Sequence, residues 1–137
     1  MAVWGFGAYY NGSEVKNKEQ DFIRNGYAYV GWDEKDAPAL YRMLDSIKAG
    51  DIVYIKAFVP KSKKLTIKAV GIVTDTHKKI DKDLGTGIEV KWKVGFKPFT
   101  KDISDEMYRN NVFNNTLYEE YNEEIIHTLI DRLLECV

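Results

Sequence analysis

The chain has 137 residues, 45% of them hydrophobic, and a formal net charge of −1. This length suits one globular domain, residues 1–137, that buries about 65 to 70% of the surface its unfolded chain exposes. The near-neutral charge argues against a non-specific nucleic-acid binder, because such domains are usually strongly basic. No apolar run approaches the length of a membrane span, so we expect a cytoplasmic protein without a membrane partner.

The single cysteine, Cys136, excludes an internal disulfide within one copy of the chain. The two histidines, His77 and His127, stand fifty residues apart without a cysteine pair. This spacing matches no common metal site, so we predict neither a metal nor another cofactor.

The first part of the chain predicts two strands with a helix between them. Residues 3–10 are aromatic-rich and end at the turn pair Asn11-Gly12, as a strand would. Residues 14–24 are polar and predict a helix, which the pair Asn25-Gly26 closes with a glycine suited to a left-handed helix end. Residues 27–32 predict the second strand.

A second helix is predicted from Pro38, since proline suits the first helical turn. Its apolar residues share one face: Leu40, Tyr41, Leu44 and Ile47. We expect this helix to end near Gly50.

The middle of the chain predicts mostly strands. Residues 52–59 and 65–74 predict a hairpin whose basic turn, residues 60–64, would lie in solvent. Residues 75–87 predict a polar loop. Residues 88–96 alternate cleanly and predict a half-buried strand with one apolar face, Val90, Trp92, Val94 and Phe96.

A C-terminal helix is predicted at about residues 116–135. Thr116 and Glu119 have the spacing of a capping box. Apolar residues then recur at helical spacing: Ile125, Ile126, Leu129, Ile130, Leu133 and Leu134. We expect this stripe to pack on the sheet or on a second copy of the chain, as a homodimer. The complete pattern predicts the α+β class.

The neutral net charge hides an asymmetry along the chain. Residues 48–101 contain thirteen Lys and five Asp or Glu, a net charge of +8, whereas residues 102–137 carry a net charge of −7. These charges could be ordinary solvated faces. The alternative is a basic face that attracts phosphates, with an acidic helix on the far side, and its candidate phosphate-binding residues are Lys61, Lys63, Lys64, Lys91 and Lys93.

Several short segments resemble, in order and spacing, the PUA-like superfamily. They are Trp4-Gly-Phe-Gly7, Phe22-Ile-Arg-Asn-Gly26, Tyr29-Val-Gly-Trp32, Ile47-Lys-Ala-Gly-Asp-Ile-Val53, Ile67-Lys-Ala-Val-Gly-Ile-Val73 and Val90-Lys-Trp92. Within the superfamily the chain is similar to EVE domains and to the Mrr- or McrB-associated N-terminal modules of bacterial defence proteins, which are related to YTH and ASCH domains. The resemblance covers about residues 3–99.

The resemblance implies a PUA-like twisted β-barrel with flanking helices. In many relatives the pocket of this barrel holds a flipped or modified base between aromatic rings, an aromatic cage. The function we expect is therefore a non-catalytic module that recognises a nucleobase, and the base that we expect is a modified base in DNA or RNA.

A pocket for a base needs rings for stacking and polar groups that recognise the base edge. The candidate ligand-binding residues are Trp4, Tyr9, Tyr10, Asn11, Ser13, Trp32 and Trp92. Trp92 lies on an alternating strand, which favours a buried core position over a ligand contact. Trp32 follows a glycine and precedes a polar run, so both a pocket rim and a core position stay open for it. The same choice is open for Trp4.

Other functions stay open beside base recognition. The site could sense a free nucleotide-like molecule, or an aromatic groove could hold a peptide. Some ASCH relatives are small amidohydrolases that use Lys, Thr and Glu, and Thr66 with Lys56 or Lys68 would be the corresponding residues here. Solvent-facing strand lysines are the simpler interpretation, so we predict no enzyme activity and no catalytic residue.

Overall fold

The computed structural model describes residues 1–10, 16–109, 113 and 115–135. The strands are β1 Val3–Gly7, β2 Tyr9–Tyr10, β3 Lys16–Asn17, β4 Tyr27–Val30, β5 Ile52–Val59, β6 Lys64–Asp81, β7 Gly85–Trp92, β8 Phe99–Asp102 and β9 Leu117–Glu119. The helices are α1 Glu19–Asn25, α2 Pro38–Ser46, α3 Asp105–Arg109 and α4 Glu123–Leu134. The expected α+β class is therefore confirmed, with a C-terminal helix.

The main sheet has the strand order β4-β7-β6-β5-β1-β9, and β8 pairs with the first part of β6. Strands β1 and β5 run parallel, whereas the other neighbours in this sheet are antiparallel. The sheet curls into a half barrel. Because β1 and β5 are parallel, their carboxyl ends meet at the same edge of the sheet.

Apolar side chains cover both faces of this sheet. On one face, Trp4, Phe6 and Val53 pack with Phe22 of α1 and Leu44 of α2. The other face contributes a second core, whose buried members include Tyr54, Leu65, Tyr118, Ile125 and Leu129. Alternation along β1 and β5 explains this division, because successive strand residues point to opposite faces.

The N-terminal segments differ from the expected single strand and long helix. The predicted strand 3–10 is divided into β1 and β2, and the predicted helix 14–24 begins only at Glu19, after the short β3. Gly26 has φ 73° and its N–H donates to the carbonyls of Phe22 and Ile23, so the predicted glycine helix end is confirmed. Asn11, Ser13 and Glu14 lie outside the described residues.

The predicted polar loop 75–87 is wrong for most of its length. Strand β6 continues to Asp81, and Ile80 and Asp81 pair with Thr86 and Gly85 of β7. Backbone pairing does not require an apolar face, and the side chains of residues 77–80 are exposed. The strand predicted to reach Phe96 ends at Trp92 instead, and Val94 is exposed.

The capping box predicted at Thr116 is also wrong. Residues Leu117–Glu119 form β9 and pair with β1, so a tertiary strand pairing prevails over a local helix signal. The α4 helix begins at Glu123, where the Asn122 side chain accepts a hydrogen bond from the backbone N–H of Ile125.

The apolar stripe of α4 packs on the sheet. Ile125 and Leu129 are buried, Ile126, Ile130 and Leu133 are half-buried against them, and Leu134 is exposed. The acidic helix also contacts the basic part of the chain, since Lys101 pairs with Glu124. Among residues whose placement is described, no helix combines the length and apolar character needed to cross a membrane.

Candidate functional site

The carboxyl ends of β1, β4 and β5 border a cleft with two adjoining depressions. The aromatic end has a volume of about 350 Å³ and is lined by Tyr9, Tyr10, Gly31, Trp32 and Thr116. The lysine end has a volume of about 470 Å³ and is lined by Gly7, Tyr9, Lys56, Ala57, Phe58, Val59 and Thr116. Tyr9 and Thr116 line both ends, so the two depressions form one cleft of a size that suits a small organic ligand.

Trp32 stands at the rim of the aromatic end with 56% of its surface exposed. Its Nε1 donates to Thr116 Oγ1 at 3.3 Å, and its backbone carbonyl accepts a hydrogen bond from the Tyr41 hydroxyl at 2.7 Å. These contacts hold an exposed indole in one orientation, as a stacking surface requires.

Tyr10 forms the deeper wall of the aromatic end. Its hydroxyl donates to the carbonyl of Leu84, and its ring meets Phe22 edge to face at 6.3 Å. A Cβ at Gly31 would lie 2.9 Å from the Tyr10 ring, so only glycine lets the backbone pass this close to the ring. Burial raises the pKa of the Tyr10 phenol, which keeps it a neutral donor.

Lys56 lies at the other end of the cleft and is 7% exposed. Its Nζ donates to the carbonyl of Phe113 and lies 5.7 Å from the centre of the Tyr118 ring. Burial lowers the pKa of Lys56 to about 8, because removal from water disfavours the charged ammonium. Lys56 is therefore mostly protonated at neutral pH and becomes neutral in mildly alkaline solution.

A buried chain of hydroxyls extends from Tyr118, away from the cleft. The Tyr54 hydroxyl donates to Glu120 Oε1 at 2.7 Å and lies 2.6 Å from the Tyr118 hydroxyl. Because the Tyr54 proton points to the carboxylate, the Tyr118 hydroxyl must donate to Tyr54. Burial raises the pKa of both phenols. Glu120 Oε2 accepts a further hydrogen bond from the Asn122 backbone N–H at 3.1 Å.

Three of the predicted aromatic residues meet in the cleft and two do not. Tyr9, Tyr10 and Trp32 line its aromatic end. Trp4 and Trp92 belong to the core, where the Trp4 Nε1 donates to Asp51 Oδ2 and the Trp92 Nε1 donates to the Phe22 carbonyl. Asn11 and Ser13, proposed for the base edge, lie outside the described residues.

The five predicted phosphate-binding lysines fall into two groups. Lys61 and Lys63 lie in the turn between β5 and β6 and Lys64 begins β6, whereas Lys91 lies near the end of β7 and Lys93 directly follows that strand. Lys91 pairs in register with Ile72, eight residues along β6 from Lys64, which corresponds to roughly 25 Å. Lys63 and Lys64 form exposed ion pairs with Asp105 and Asp102, and Lys93 Nζ donates to the Glu135 carbonyl.

The cleft also contains residues that the sequence did not assign to it. Thr116 carries a hydroxyl between the two ends, although its sequence signal was that of a helix cap. Thr66 pairs with Ala57, the neighbour of Lys56, and therefore points to the opposite face of the sheet from Lys56. Lys68 faces Glu19 at 4.0 Å. The lysine and threonine that share a cleft are thus Lys56 and Thr116.

No group of three or more His, Cys, Asp or Glu side chains that could hold a metal occurs in the part of the chain that the structure describes. Comparison of the sequence with models of known protein families and with curated proteins finds no match.

Proposed function

We propose that the cleft binds a nucleobase or nucleotide-like ligand and that the chain is a PUA-like module whose half barrel corresponds to the barrel of that superfamily. The observation that carries the proposal is the convergence of Tyr9, Tyr10 and Trp32 on one cleft beside a glycine. A flat π-system stacks on such rings with about 1 to 3 kcal/mol per base. A modified base in DNA or RNA is the ligand that we favour.

The polar atoms at the aromatic end suit the edge of a base. The Thr116 hydroxyl and the Tyr9 hydroxyl can each donate and accept hydrogen bonds. They lie beside exposed or half-buried rings, so a base can stack and be read in the same place. A peptide could use the rings too, so the test includes aromatic peptides.

The test is a binding titration against nucleosides, nucleotides and short single-stranded DNA and RNA, each with unmodified and modified bases, followed by calorimetry or by Trp fluorescence. Micromolar or tighter binding of any of these, competed by the free nucleoside, supports the proposal. Binding of aromatic peptides alone would contradict it.

A second candidate function is favoured by Lys56. A buried lysine with a pKa near 8 can act as a proton acceptor at mildly alkaline pH, and Thr116 lies beside it in the cleft. The corresponding reaction is hydrolysis of an N-acylated nucleoside: water adds to the acyl carbon, the C–N bond breaks, and the amine leaves with a proton. Chromatography of acylated nucleosides incubated with the protein tests this, and activity should then rise with pH between 7 and 9.

A further inference from the structure

The lysine end of the cleft contains a cation without a carboxylate partner among the described residues. The acceptor that the structure gives Lys56 Nζ is the Phe113 carbonyl, and the Tyr118 ring lies beneath it. An ammonium group has three donors, and burial of a charge is unfavourable unless the charge is paired. Among the described residues, the lysines that form ion pairs are Lys63, Lys64, Lys68, Lys78 and Lys101.

The ammonium group of Lys56 lies in the same cleft as the aromatic rings, so one ligand can contact both. Lys56 and Trp32 line the two ends of one cleft, and the side chains that connect the ends are Tyr9 and Thr116. A ligand whose ring stacks at the aromatic end can therefore extend past Thr116 to the ammonium group. The group that reaches it should be an anion, since an anion compensates the buried charge.

We propose that Lys56 binds a phosphate group of the ligand, so that the cleft prefers a nucleotide to the corresponding nucleoside. This inference rests on the proposed function, because it assumes that a base occupies the aromatic end of the cleft. Phosphate fits better than a neutral carbonyl, because an ionised partner offsets the charge of a buried lysine that has no carboxylate partner among the described residues.

The groups that face Lys56 are consistent with an incoming anion. From β9, Tyr118 presents its ring, and from β5, Tyr54 lies behind that ring and donates to Glu120. From β2, Tyr9 lines the cleft, and β1 contributes Gly7, whose Cα faces Lys56 without a side chain.

The pH dependence has a definite sign. Phosphate holds the ammonium in its charged form, so the pKa of Lys56 is higher in the complex than in the free protein. The preference for nucleotide over nucleoside should be full near neutral pH and should decline as pH rises through 8, where free Lys56 becomes neutral. A neutral lysine acting as a base would give the opposite trend.

The experiment compares nucleosides that carry unmodified and modified bases with their 5′-monophosphates by calorimetry at pH 7 and pH 9.5. We expect the wild type to bind at least one monophosphate about tenfold to a hundredfold more tightly than its nucleoside, the range of a charge-assisted hydrogen bond. Lys56→Met should abolish this preference. Lys48→Met is the matched control, because Lys48 is exposed before the opposite end of β5, and it should retain the preference.

A second variant keeps the test valid if Lys56→Met does not fold. A Cβ at Gly7 would lie 3.8 Å from Lys56 Nζ and 3.6 Å from Lys56 Cε, an ordinary contact distance. Gly7→Ala therefore occupies the space beside the ammonium while the charge stays, and it should also reduce the preference.

The outcomes separate the two proposals. Equal dissociation constants for nucleosides and monophosphates, or a preference that persists in Lys56→Met, would overturn the phosphate site alone. Failure of every nucleoside and nucleotide to bind would overturn the proposed function and this inference with it. A five-nucleotide strand without a terminal phosphate distinguishes the sources: Lys56-dependent binding of that strand assigns the site to a phosphodiester, and its absence assigns it to a terminal phosphate.

Discussion

The ring of Tyr118 lies across the backbone of Gly5, so closely that a Cβ at Gly5 would be 2.6 Å from Tyr118 Cζ. The two residues pair in register on β9 and β1, and the Tyr118 hydroxyl continues to Tyr54 and Glu120. Glycine at this position is what allows the phenol to reach the buried hydroxyl chain and to lie beneath Lys56.

Gly5→Ala should therefore destabilise the protein. The added methyl group cannot coexist with the present position of the Tyr118 ring, and forced repacking of a core typically costs about 1 to 3 kcal/mol. Gly7→Ala is the matched control on the same strand face, because the nearest neighbour of its Cβ is 3.6 Å away. Chemical denaturation measures both, and equal free energies of unfolding for the two variants would contradict this account.

Trp32→Ala and Trp92→Ala should separate binding from stability. Trp32 is 56% exposed at the cleft, so its loss should weaken base binding by about 1 to 3 kcal/mol with little change in melting temperature. Trp92 is buried and donates to the Phe22 carbonyl, so its loss should lower the free energy of unfolding by about 3 to 5 kcal/mol. A stability loss for Trp32→Ala as large as that for Trp92→Ala would place the ligand site elsewhere.

Asp51 should make stability depend on pH in acid solution. Burial alone would raise the pKa of this carboxyl, but hydrogen bonds from the Lys48 N–H, the Trp4 indole and the Ala2 N–H outweigh burial and hold the pKa below its usual value. The stabilisation is present above about pH 4, the ordinary pKa of Asp, and is lost as pH falls through the lower folded-state pKa.

Asp51→Asn should reduce the free energy of unfolding by about 1 to 3 kcal/mol at pH 7, since the amide keeps only one acceptor oxygen. It should also flatten the acid limb of the stability profile. Asp83→Asn, which changes an exposed carboxylate in the turn between β6 and β7, is the control and should change neither quantity. Denaturation between pH 2.5 and pH 7 makes the comparison.

The two buried tyrosines should differ when each loses its hydroxyl. Tyr54→Phe removes the donor to Glu120 Oε1 and leaves a buried carboxylate oxygen without that hydrogen bond. Tyr118→Phe removes only the outer hydroxyl of the chain. We expect the first change to cost about 1 to 3 kcal/mol and the second clearly less. If urea titrations rank them the other way, the proton direction assigned along this chain is wrong.

The separation of the lysines predicts an unequal response to salt when the ligand is a short strand. Lys61 lies beyond Val59, which lines the cleft, whereas Lys91 is on the far part of the sheet. Lys61→Ala should reduce the slope of log affinity against log salt by about 1 for a five-nucleotide ligand. Lys91→Ala should leave that slope unchanged, and an equal effect of both would require a longer binding path across the sheet.

Much of the fold could be predicted from sequence because the dominant signals were local. The helix begun by Pro38, the strand residues 52–59 and the helix end at Gly26 each depend on periodicity or on backbone conformation. The extension of β6 to Asp81 could not be predicted in this way. Apart from the exposed Ile80, its side chains are polar on both faces, and the partner strand supplies its ladder hydrogen bonds.

The candidate site was predictable only in part. Tyr9 and Tyr10 come shortly after β1, and Trp32 comes after β4, and strand ends bring such rings together at one edge of a sheet. Thr116 joins them because β9 pairs with β1, a contact between distant parts of the sequence that no local pattern encodes. Lys56 gave a weak signal for the same reason, since its burial depends on Phe113 and Tyr118.

The position of β1 in the sheet has a consequence for how the chain folds. This strand lies between β5 and β9, so Trp4 pairs with Val53 on one side and with Glu119 on the other. Pairings between such distant residues form late, because long loops must close first. During synthesis, β1 leaves the ribosome with both edges unpaired, and its pairing with β9 must wait until residues 117–119 are made. A chaperone that shields an apolar strand early should therefore raise the refolding yield, whereas Gly5→Ala should lower it.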